Sequence, residues 1–332
     1  MRRLALLALA LAAACSDALE QTSSAGQYVG FVTQDNYLLL LSATDLTQRL
    51  VQLEFGPGSG QRLTARGSVF LASIPGSARV DIVDLADNPD TVRRIGLAGM
   101  EPVDAAMADD SIAWVVAPPY VVRVNYRAGA LGDMVFIGGT ASLTAVAVTA
   151  QRVFVLRDAG LSSPGYITVV DPVAHAVVDS VLLTPARPRL AVVGDDSLLY
   201  VVSTRAGTDS GRVSVVNPIE PRELLVINGI GSAPLQAQFH PSGSRLLVAS
   251  AFSGIQEVNT ITKTLTRPPS DAIRPGGHAV AGIVIDQGRL IYAADSACAV
   301  DVLQPPPDYT VRKVVSAPGA HCPWYGAVAT KP

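Results

Sequence analysis

The feature that most constrains this chain is a repeat of seven units, each an apolar stretch that ends in a small polar residue typical of turns. The residues that mark the seven units are Asp45, Asp84, Asn125, Asp171, Asn217, Asn259 and Gln304. Their successive separations are 39, 41, 46, 46, 42 and 45 residues. A period of roughly 40–50 residues with several short strands per unit is typical of a β-propeller, in which each repeat forms one blade. The repeat therefore predicts an all-β, seven-bladed β-propeller.

The fifth repeat shows the strands of a blade most clearly. Its four apolar stretches, which we label strands A to D, are Pro188–Gly194, Leu198–Ser203, Arg212–Asn217 and Glu223–Asn228. They are almost continuously apolar, as expected when a blade packs against neighbours on both faces, and Val, Ile, Leu and Tyr suit such strands. Each blade is therefore predicted to be a sheet of four antiparallel strands.

The two ends of the chain together supply one complete blade. The seventh A strand, Trp324–Thr330, lies at the C-terminus with no B, C or D strand after it. Near the N-terminus, Tyr28–Thr33, Tyr37–Ser42 and Arg49–Phe55 have the pattern of B, C and D strands without an A strand. We expect the C-terminal A strand to join these three strands, because closure removes the exposed sheet edges of an open arc.

Several units carry motifs that resemble a known family. Ile167–Asp171 (ITVVD), Phe239–Gly243 (FHPSG), Leu199–Val201 (LYV) and Arg289–Tyr292 (RLIY) are similar to the recurring strand and turn motifs of the YVTN/YncE-like seven-bladed propellers. The resemblance covers most of residues 28–330. These motifs concern the construction of a blade, so the resemblance implies a fold and no particular reaction.

The N-terminus has the pattern of an export signal. Arg2 and Arg3 precede the apolar run Leu4–Ala14, which is too short to span a bilayer, and Cys15 follows. The run ending at Cys15 resembles a bacterial lipobox, in which the cysteine becomes lipidated; the alternative is an ordinary secretory signal cut after one of the alanines. We therefore expect a signal peptide at 1–14, a lipid-anchor cysteine with a flexible tether at 15–27, and the propeller at 28–332. Ser16 stands where an inner-membrane retention signal would have Asp, so the lipoprotein resemblance implies the outer membrane, if the cell has one, or a periplasmic face.

The composition of the chain limits the kinds of partner that it is expected to bind. Charged residues make up 16% of the chain, the net charge is −3 and no basic stripe is present, so nucleic acid is an unexpected partner. No stretch of 18 apolar residues occurs, so membrane contact is expected through the lipid anchor alone. We expect a monomer that binds an envelope protein or glycan.

A disulfide is predicted between Cys298 and Cys322. Once Cys15 carries lipid, these are the two remaining cysteines. Cys298 falls in a B–C connection and Cys322 in the D–A loop that leaves the same blade, so both emerge on one face, in a compartment that favours oxidation. The alternative is a pair of buried free thiols.

The D–A loops and B–C connections of a propeller emerge on one face, which is the usual binding face. Polar residues at the start of the A strands, such as Arg62, Asp104 and Gln236, should ring the central channel there. The long connections Arg157–Gly165 and Thr204–Gly211 are either functional inserts or neutral surface variation. The predicted binding face consists of Glu101, Arg157, Asp158, Arg187, Arg189, Arg205, Asp209, His278, Asp295, His321 and Trp324.

No catalytic or cofactor motif stands out. His278 and His321 precede adjacent A strands and could approach each other with Asp295, but their spacing matches no metal motif, and two solvated loop histidines are the alternative. We therefore predict no metal and no cofactor, and a non-catalytic binding or scaffold module. The alternative, implied only by resemblance to seven-bladed propellers that hydrolyse sugar lactones, is a lactonase-like hydrolase with its site at the channel mouth. It would require Glu101, Arg187, Arg189, His278 and His321 to converge on one pocket.

Overall fold

A computed structural model of the protein describes residues 26–53, 62–139, 141–160, 163–184, 186–204, 211–319 and 321–331. The described part of the chain is all-β, apart from two short 3-10 turns at Pro269–Asp271 and Pro275–Gly277. In chain order its strands are β1 Gln27–Thr33, β2 Tyr37–Ser42, β3 Gln48–Gln52, β4 Arg62–Arg66, β5 Val69–Ile74, β6 Arg79–Asp84, β7 Val92–Gly96, β8 Asp104–Met107, β9 Ile112–Ala117, β10 Tyr120–Asn125, β11 Ala130–Phe136, β12 Ser142–Val148, β13 Val153–Asp158, β14 Tyr166–Asp171, β15 Ala176–Leu182, β16 Arg187–Val193, β17 Leu199–Thr204, β18 Gly211–Asn217, β19 Arg222–Ile230, β20 Pro234–Phe239, β21 Arg245–Ser250, β22 Gly254–Asn259, β23 Thr264–Arg267, β24 Val280–Ile285, β25 Ile291–Asp295, β26 Ala299–Leu303, β27 Val311–Ser316 and β28 Pro323–Thr330.

These strands form seven antiparallel sheets of four, as the repeat predicts. Blade 1 has the strand order β28-β1-β2-β3, and blades 2 to 7 each take the next four strands in sequence, from β4–β7 to β24–β27. The A strands β28, β4, β8, β12, β16, β20 and β24 contact one another in turn, and β24 returns to β28. The blades therefore stand as a closed ring around a central channel.

The C-terminal strand closes the ring by pairing with β1. Tyr28 lies opposite Ala329 and Val32 lies opposite Tyr325 in an antiparallel register. The predicted closure of the first blade is confirmed. Because the A strand and the B strand of this blade come from opposite ends of the chain, unravelling either end opens the ring.

The hydrophobic core lies between the blades. Each of the seven clusters of buried apolar side chains in the described residues joins two neighbouring blades: one joins blades 2 and 3, and another joins blades 7 and 1. Strand β9, which is buried at every position, shows why the B strands are continuously apolar. A blade has no solvent face at its centre, so alternation of polar and apolar residues is suppressed there.

The repeated polar landmarks close the C–D turns. The side-chain oxygen of Asp171 accepts hydrogen bonds from the backbone N–H groups of Val173 and Ala174, and Asn259 accepts from Ile261 and Thr262 in the same way. Asp45, Asp84, Asn125 and Asn217 make equivalent bonds. Such side chains mimic a backbone turn, which explains why Asp and Asn recur at this position.

A second recurrent contact explains the LYV-type motif. The hydroxyl of Tyr200 in strand B donates to Asp196 in the preceding A–B turn, at 2.6 Å. In blade 7, Tyr292 donates to Asp286 in the same arrangement, at 3.2 Å. Both rings are buried, so the tyrosine packs between blades while its hydroxyl anchors the turn.

The channel-facing edges of the A strands are joined by polar side chains. Asp104 of blade 3 accepts a hydrogen bond from the N–H of Val146 in blade 4, at 2.9 Å. The Gln236 side-chain oxygen accepts from Ile283 in blade 7 and from Gly326 in blade 1, each at 3.1 Å. These contacts satisfy backbone groups that would otherwise be unpaired at an inner sheet edge.

Candidate binding face at the channel mouth

The channel contains a cavity of about 370 Å³. Its wall is formed by six of the seven A strands, and most of the wall consists of Ala, Val and Leu side chains. Polar residues lie at the end where the A strands begin, and include Arg62, Asp104 and Gln236. The D–A loops and B–C turns open at the same end, which we call the mouth face. The cavity is thus polar at its mouth and largely apolar below it.

Two arginines at the mouth share one buried carboxylate. The Nε–H of Arg187 donates to Oδ2 of Asp158 at 2.8 Å, and Nη2 of Arg187 lies 2.8 Å from the same oxygen. Nη2 of Arg189 lies 3.7 Å from that oxygen. The other oxygen, Oδ1, accepts the N–H of Gly160 at 2.9 Å. Asp158 is buried and both of its oxygens are engaged, so it holds the arginines in place and has little capacity left for a ligand.

The side chain of Arg157 is buried and makes contacts within the fold. It and Asp158 are the last two residues of strand β13, whereas the sequence pattern places them in a loop. The Arg157 side chain is buried, donates to the carbonyl of Gly138 at 2.6 Å and lies 4.5 Å from the ring centre of Tyr166. It therefore connects blade 4 to the preceding loop and is not presented to solvent.

Arg62 reaches across the mouth. It is the first residue of β4 in blade 2, and its Nη1 donates to the carbonyl of Leu235 in blade 6 at 2.7 Å. Its guanidinium carbon lies 4.4 Å from the centre of the Tyr325 ring, which belongs to blade 1. Within the described residues, Arg62 takes part in no ion pair. The cation is therefore held by a carbonyl and an aromatic face.

The charged groups at the mouth shift one another's pKa values. Burial lowers the pKa of Arg189, and the neighbouring cations Arg187 and Arg62 lower it further, while Asp158 opposes this shift. Burial raises the pKa of Asp104 although Arg62 acts in the opposite direction. Three guanidinium groups thus face two carboxylates in one small region.

His321 and the predicted disulfide lie at the seam between blades 7 and 1. Nδ1 of His321 bonds to the carboxylate of Asp35 in the β1–β2 turn, and its ring centre lies 4.3 Å from that of Tyr37. The next residue, Cys322, forms a disulfide with Cys298, which confirms the predicted pairing. These contacts place His321 in a structural cluster beside the closing strand.

His278 belongs to a different environment in blade 7. Burial and the nearby carboxylate of Asp295 raise the pKa of Asp301 to about 6, and His278 acts to lower it. Asp301 is buried, and within the described residues its Oδ2 has no hydrogen-bond partner. Asp295 accepts the N–H groups of Ala297 and Ala299. Asp295 therefore closes the B–C turn, in a buried acidic pair with Asp301.

The predicted face is only partly assembled into one site. Arg187 and Arg189 share Asp158, whereas His278, His321 and the exposed Glu101 have separate surroundings. Trp324 is half-buried beside Tyr325 at the start of β28. Arg205, Asp209 and Cys15 lie outside the described residues. No group of three potential metal ligands occurs in the described part of the chain.

Three residues at the mouth face were not among the predicted ones. Asp35 and Asp301 gain their importance from partners that the sequence order does not reveal. Phe252 lies in the β21–β22 turn of blade 6 with 74% of its surface exposed. A large aromatic residue among small turn residues was the one sequence signal that could have identified it.

Comparison with known proteins shows the fold. No protein-family model and no curated protein matches the chain. Among solved structures, it is similar to a functionally unknown protein from Desulfotomaculum acetoxidans, with a TM-score of 0.69 and 13% identity over 92% of this chain and 99% of that one. It is also similar to Kuenenia stuttgartiensis hydrazine synthase, with a TM-score of 0.61 and 15% identity over 77% of this chain and 80% of that one. Both similarities concern the β-propeller architecture alone.

Proposed function

We propose that this protein is a lipid-anchored, extracytoplasmic propeller of the YVTN/YncE-like kind that acts as a non-catalytic binding or scaffold module for an envelope protein or glycan. The seven-bladed fold is compatible with such a role, and the Cys298–Cys322 disulfide suits an oxidising compartment. No helix among the described residues is long and apolar enough to cross a membrane. In this proposal the lipid on Cys15 supplies the membrane attachment.

The observation that carries the proposal is the concentration of cationic and aromatic groups around the open end of the channel. Arg62, Arg187 and Arg189 lie at the mouth, and the exposed ring of Phe252 lies on the same face. Arginine and aromatic residues are the side chains most often responsible for binding energy at interfaces. The mouth face is therefore the surface we assign to the ligand.

The geometry favours binding over lactone hydrolysis. A general base needs a carboxylate or imidazole within reach of the reacting group. Asp158 is engaged by Arg187 and Gly160, and His321, whose Nδ1 bonds to Asp35, lies at the seam between blades 7 and 1, apart from Arg187 and Arg189. The described contacts do not bring the residues of a hydrolytic site together.

The fold also suggests an orientation on the membrane. Strand β1 runs from the face opposite the mouth toward the mouth, so its first residue, Gln27, lies on the opposite face. On that face, the C–D turns of three consecutive blades expose Val173, Ile219 and Ile261, with 87%, 77% and 76% of their surfaces accessible. A lipid at Cys15 would hold these apolar turns toward the bilayer and the mouth away from it.

Affinity capture from solubilised envelope fractions tests this function. The mature protein is compared with Phe252→Glu, on the mouth face, and Ile261→Glu, on the opposite face; both positions are exposed, so both variants should fold. We expect a specific protein or glycan to be retained by wild type and by Ile261→Glu and lost with Phe252→Glu. Retention by all three forms, or by none, would contradict the assignment. Turnover of a panel of sugar lactones would favour the hydrolase instead.

A further inference from the structure

Among the described residues, the three mouth arginines have fewer neighbouring carboxylates than positive charges. Arg62, Arg187 and Arg189 carry three positive charges, and Asp104 and Asp158 carry at most two negative ones. Because burial favours the neutral form of Asp104, the surplus is at least one positive charge. A surplus cation in a partly buried region is stabilised by an incoming anion.

Arg189 contacts Asp158 less closely than Arg187 does. Arg187 takes Asp158 Oδ2 with two of its nitrogens at 2.8 Å, whereas the single contact from Arg189 is 3.7 Å long. A distance of 3.7 Å is beyond a hydrogen bond, so this contact engages no donor group of Arg189 in the described part of the chain. About a third of its side chain is exposed, which leaves it accessible from the mouth.

Arg62 approaches the same region from the other side of the channel. It starts in blade 2, yet its guanidinium bonds to Leu235 in blade 6, next to the blade that carries Arg189. The influence of Arg62 on the pKa of Arg189 agrees with this proximity. One of its nitrogens is engaged by the carbonyl of Leu235, and a guanidinium has further donors.

The cavity below the arginines is suited to an apolar group. Its wall includes Ala106, Ala191, Val193 and Ala327, which are short side chains and half-buried. Its volume of about 370 Å³ is enough for a short chain of carbon atoms. A ligand that matched both regions would have an anionic head and an apolar body.

We propose that the mouth binds a small organic monocarboxylate, with the carboxylate between Arg62 and Arg189 and the apolar body in the channel. This proposal rests on the proposed binding function and names the ligand class of that same site. A carboxylate matches the planar donor fork of arginine, and its single charge equals the minimum surplus at the mouth. The ligand could be free, or it could be the C-terminal carboxylate of a polypeptide.

Titration calorimetry with defined probes tests the proposal. The probes are hexanoate, the neutral hexanamide, inorganic phosphate, and N-acetyl-Ala-Ala-Val as free acid and as amide. We expect binding by carboxylates and not by the amides. Preference for the peptide acid would identify a chain end as the source, and preference for hexanoate a free acid. Equal binding of hexanoate and hexanamide, or tighter binding of phosphate, would overturn the proposal.

Two variants with the same substitution locate the site. Arg189→Gln should weaken carboxylate binding at least ten-fold, while Arg222→Gln, on the outer strand of the same blade, should leave it unchanged. Melting temperatures of both variants equal to that of wild type would show that folding is unaffected. If Arg189→Gln binds carboxylates like wild type, the proposal is wrong. If no carboxylate binds but wild type still captures an envelope partner, this proposal fails and the binding function stands; loss of both would reject both.

Discussion

Reduction of the Cys298–Cys322 disulfide should destabilise the whole ring. Cys322 immediately precedes the closing strand β28, and Cys298 lies in the β25–β26 turn of the neighbouring blade. The backbone around the bridge is also engaged: Gln34 donates to the carbonyl of Cys322 and Ala317 donates to that of Cys298. The disulfide thus fastens the end of the chain at the seam where the ring closes.

The expected magnitude follows from the size of the closed loop. The two cysteines are separated by 24 residues. By the chain-entropy argument, a loop of this size contributes about 3 kcal/mol to the free energy of unfolding. The propeller has about 300 residues, and unfolding entropy is roughly 2 cal/mol/K per residue, so this corresponds to a shift in Tm of about 5 °C.

Calorimetric melting of the mature protein with and without reductant measures this effect while every side chain stays the same. The double variant Cys298→Ser/Cys322→Ser serves as the control, because its Tm should resemble that of the reduced protein and should not respond to reductant. If the oxidised and reduced proteins melt within a degree of each other, the disulfide does not secure the seam and the reasoning is wrong.

Three further predictions concern the closing strand, the lipid anchor and the buried carboxylate of Asp301. Deletion of residues 323–332 removes β28 and should abolish cooperative unfolding, because it exposes the edge of β1 and uncovers the A strands of both neighbouring blades. A truncated protein that melts like the full chain would contradict closure. The substitution Cys15→Ala should release the protein from the membrane fraction in a fractionation assay, and an unchanged distribution would argue against lipidation. The pKa of Asp301, about 6 in the fold, is above its value in the unfolded chain, so the proton is bound more tightly by the folded state. Its contribution to stability is therefore present below about pH 4 and is lost as pH rises through about 6, by roughly 1–3 kcal/mol allowing for solvent screening. Denaturant titrations should show this fall in the free energy of unfolding for wild type and not for Asp301→Asn. Identical pH profiles of the two proteins would contradict the prediction.

Much of the fold could be predicted from sequence because its determinants are local. The turn residues Asp171 and Asn259 bond to backbone groups two and three residues later, so they recur visibly at blade spacing. Strand β2, Tyr37–Ser42, occupies the predicted residues, whereas β3, Gln48–Gln52, begins one residue before the strand predicted at Arg49–Phe55, whose last two residues lie outside the described part of the chain. Ends of strands are less predictable than their existence, because the last residues are fixed by neighbouring loops rather than by the apolar pattern.

The candidate site was less predictable because its contacts are long-range. Arg62 and Leu235 are separated by 173 residues, and Asp35 and His321 by 286. These pairs meet only because the ring closes, and no local pattern encodes that. Residue type alone suggested that His278 and His321 could act together, but His321 bonds to Asp35 at the seam, whereas His278 lies near Asp301 in blade 7.

Site-specific photo-crosslinking in intact envelopes tests most directly whether the mouth face is the functional surface. Benzoylphenylalanine is introduced at Phe252, in the β21–β22 turn on the mouth face, or at Ile261, in a C–D turn on the opposite face. Both side chains are largely exposed, so neither replacement should disturb the core. We expect a discrete crosslinked partner from position 252 and none, other than lipid, from position 261. A partner crosslinked from position 261 and not from position 252 would contradict it.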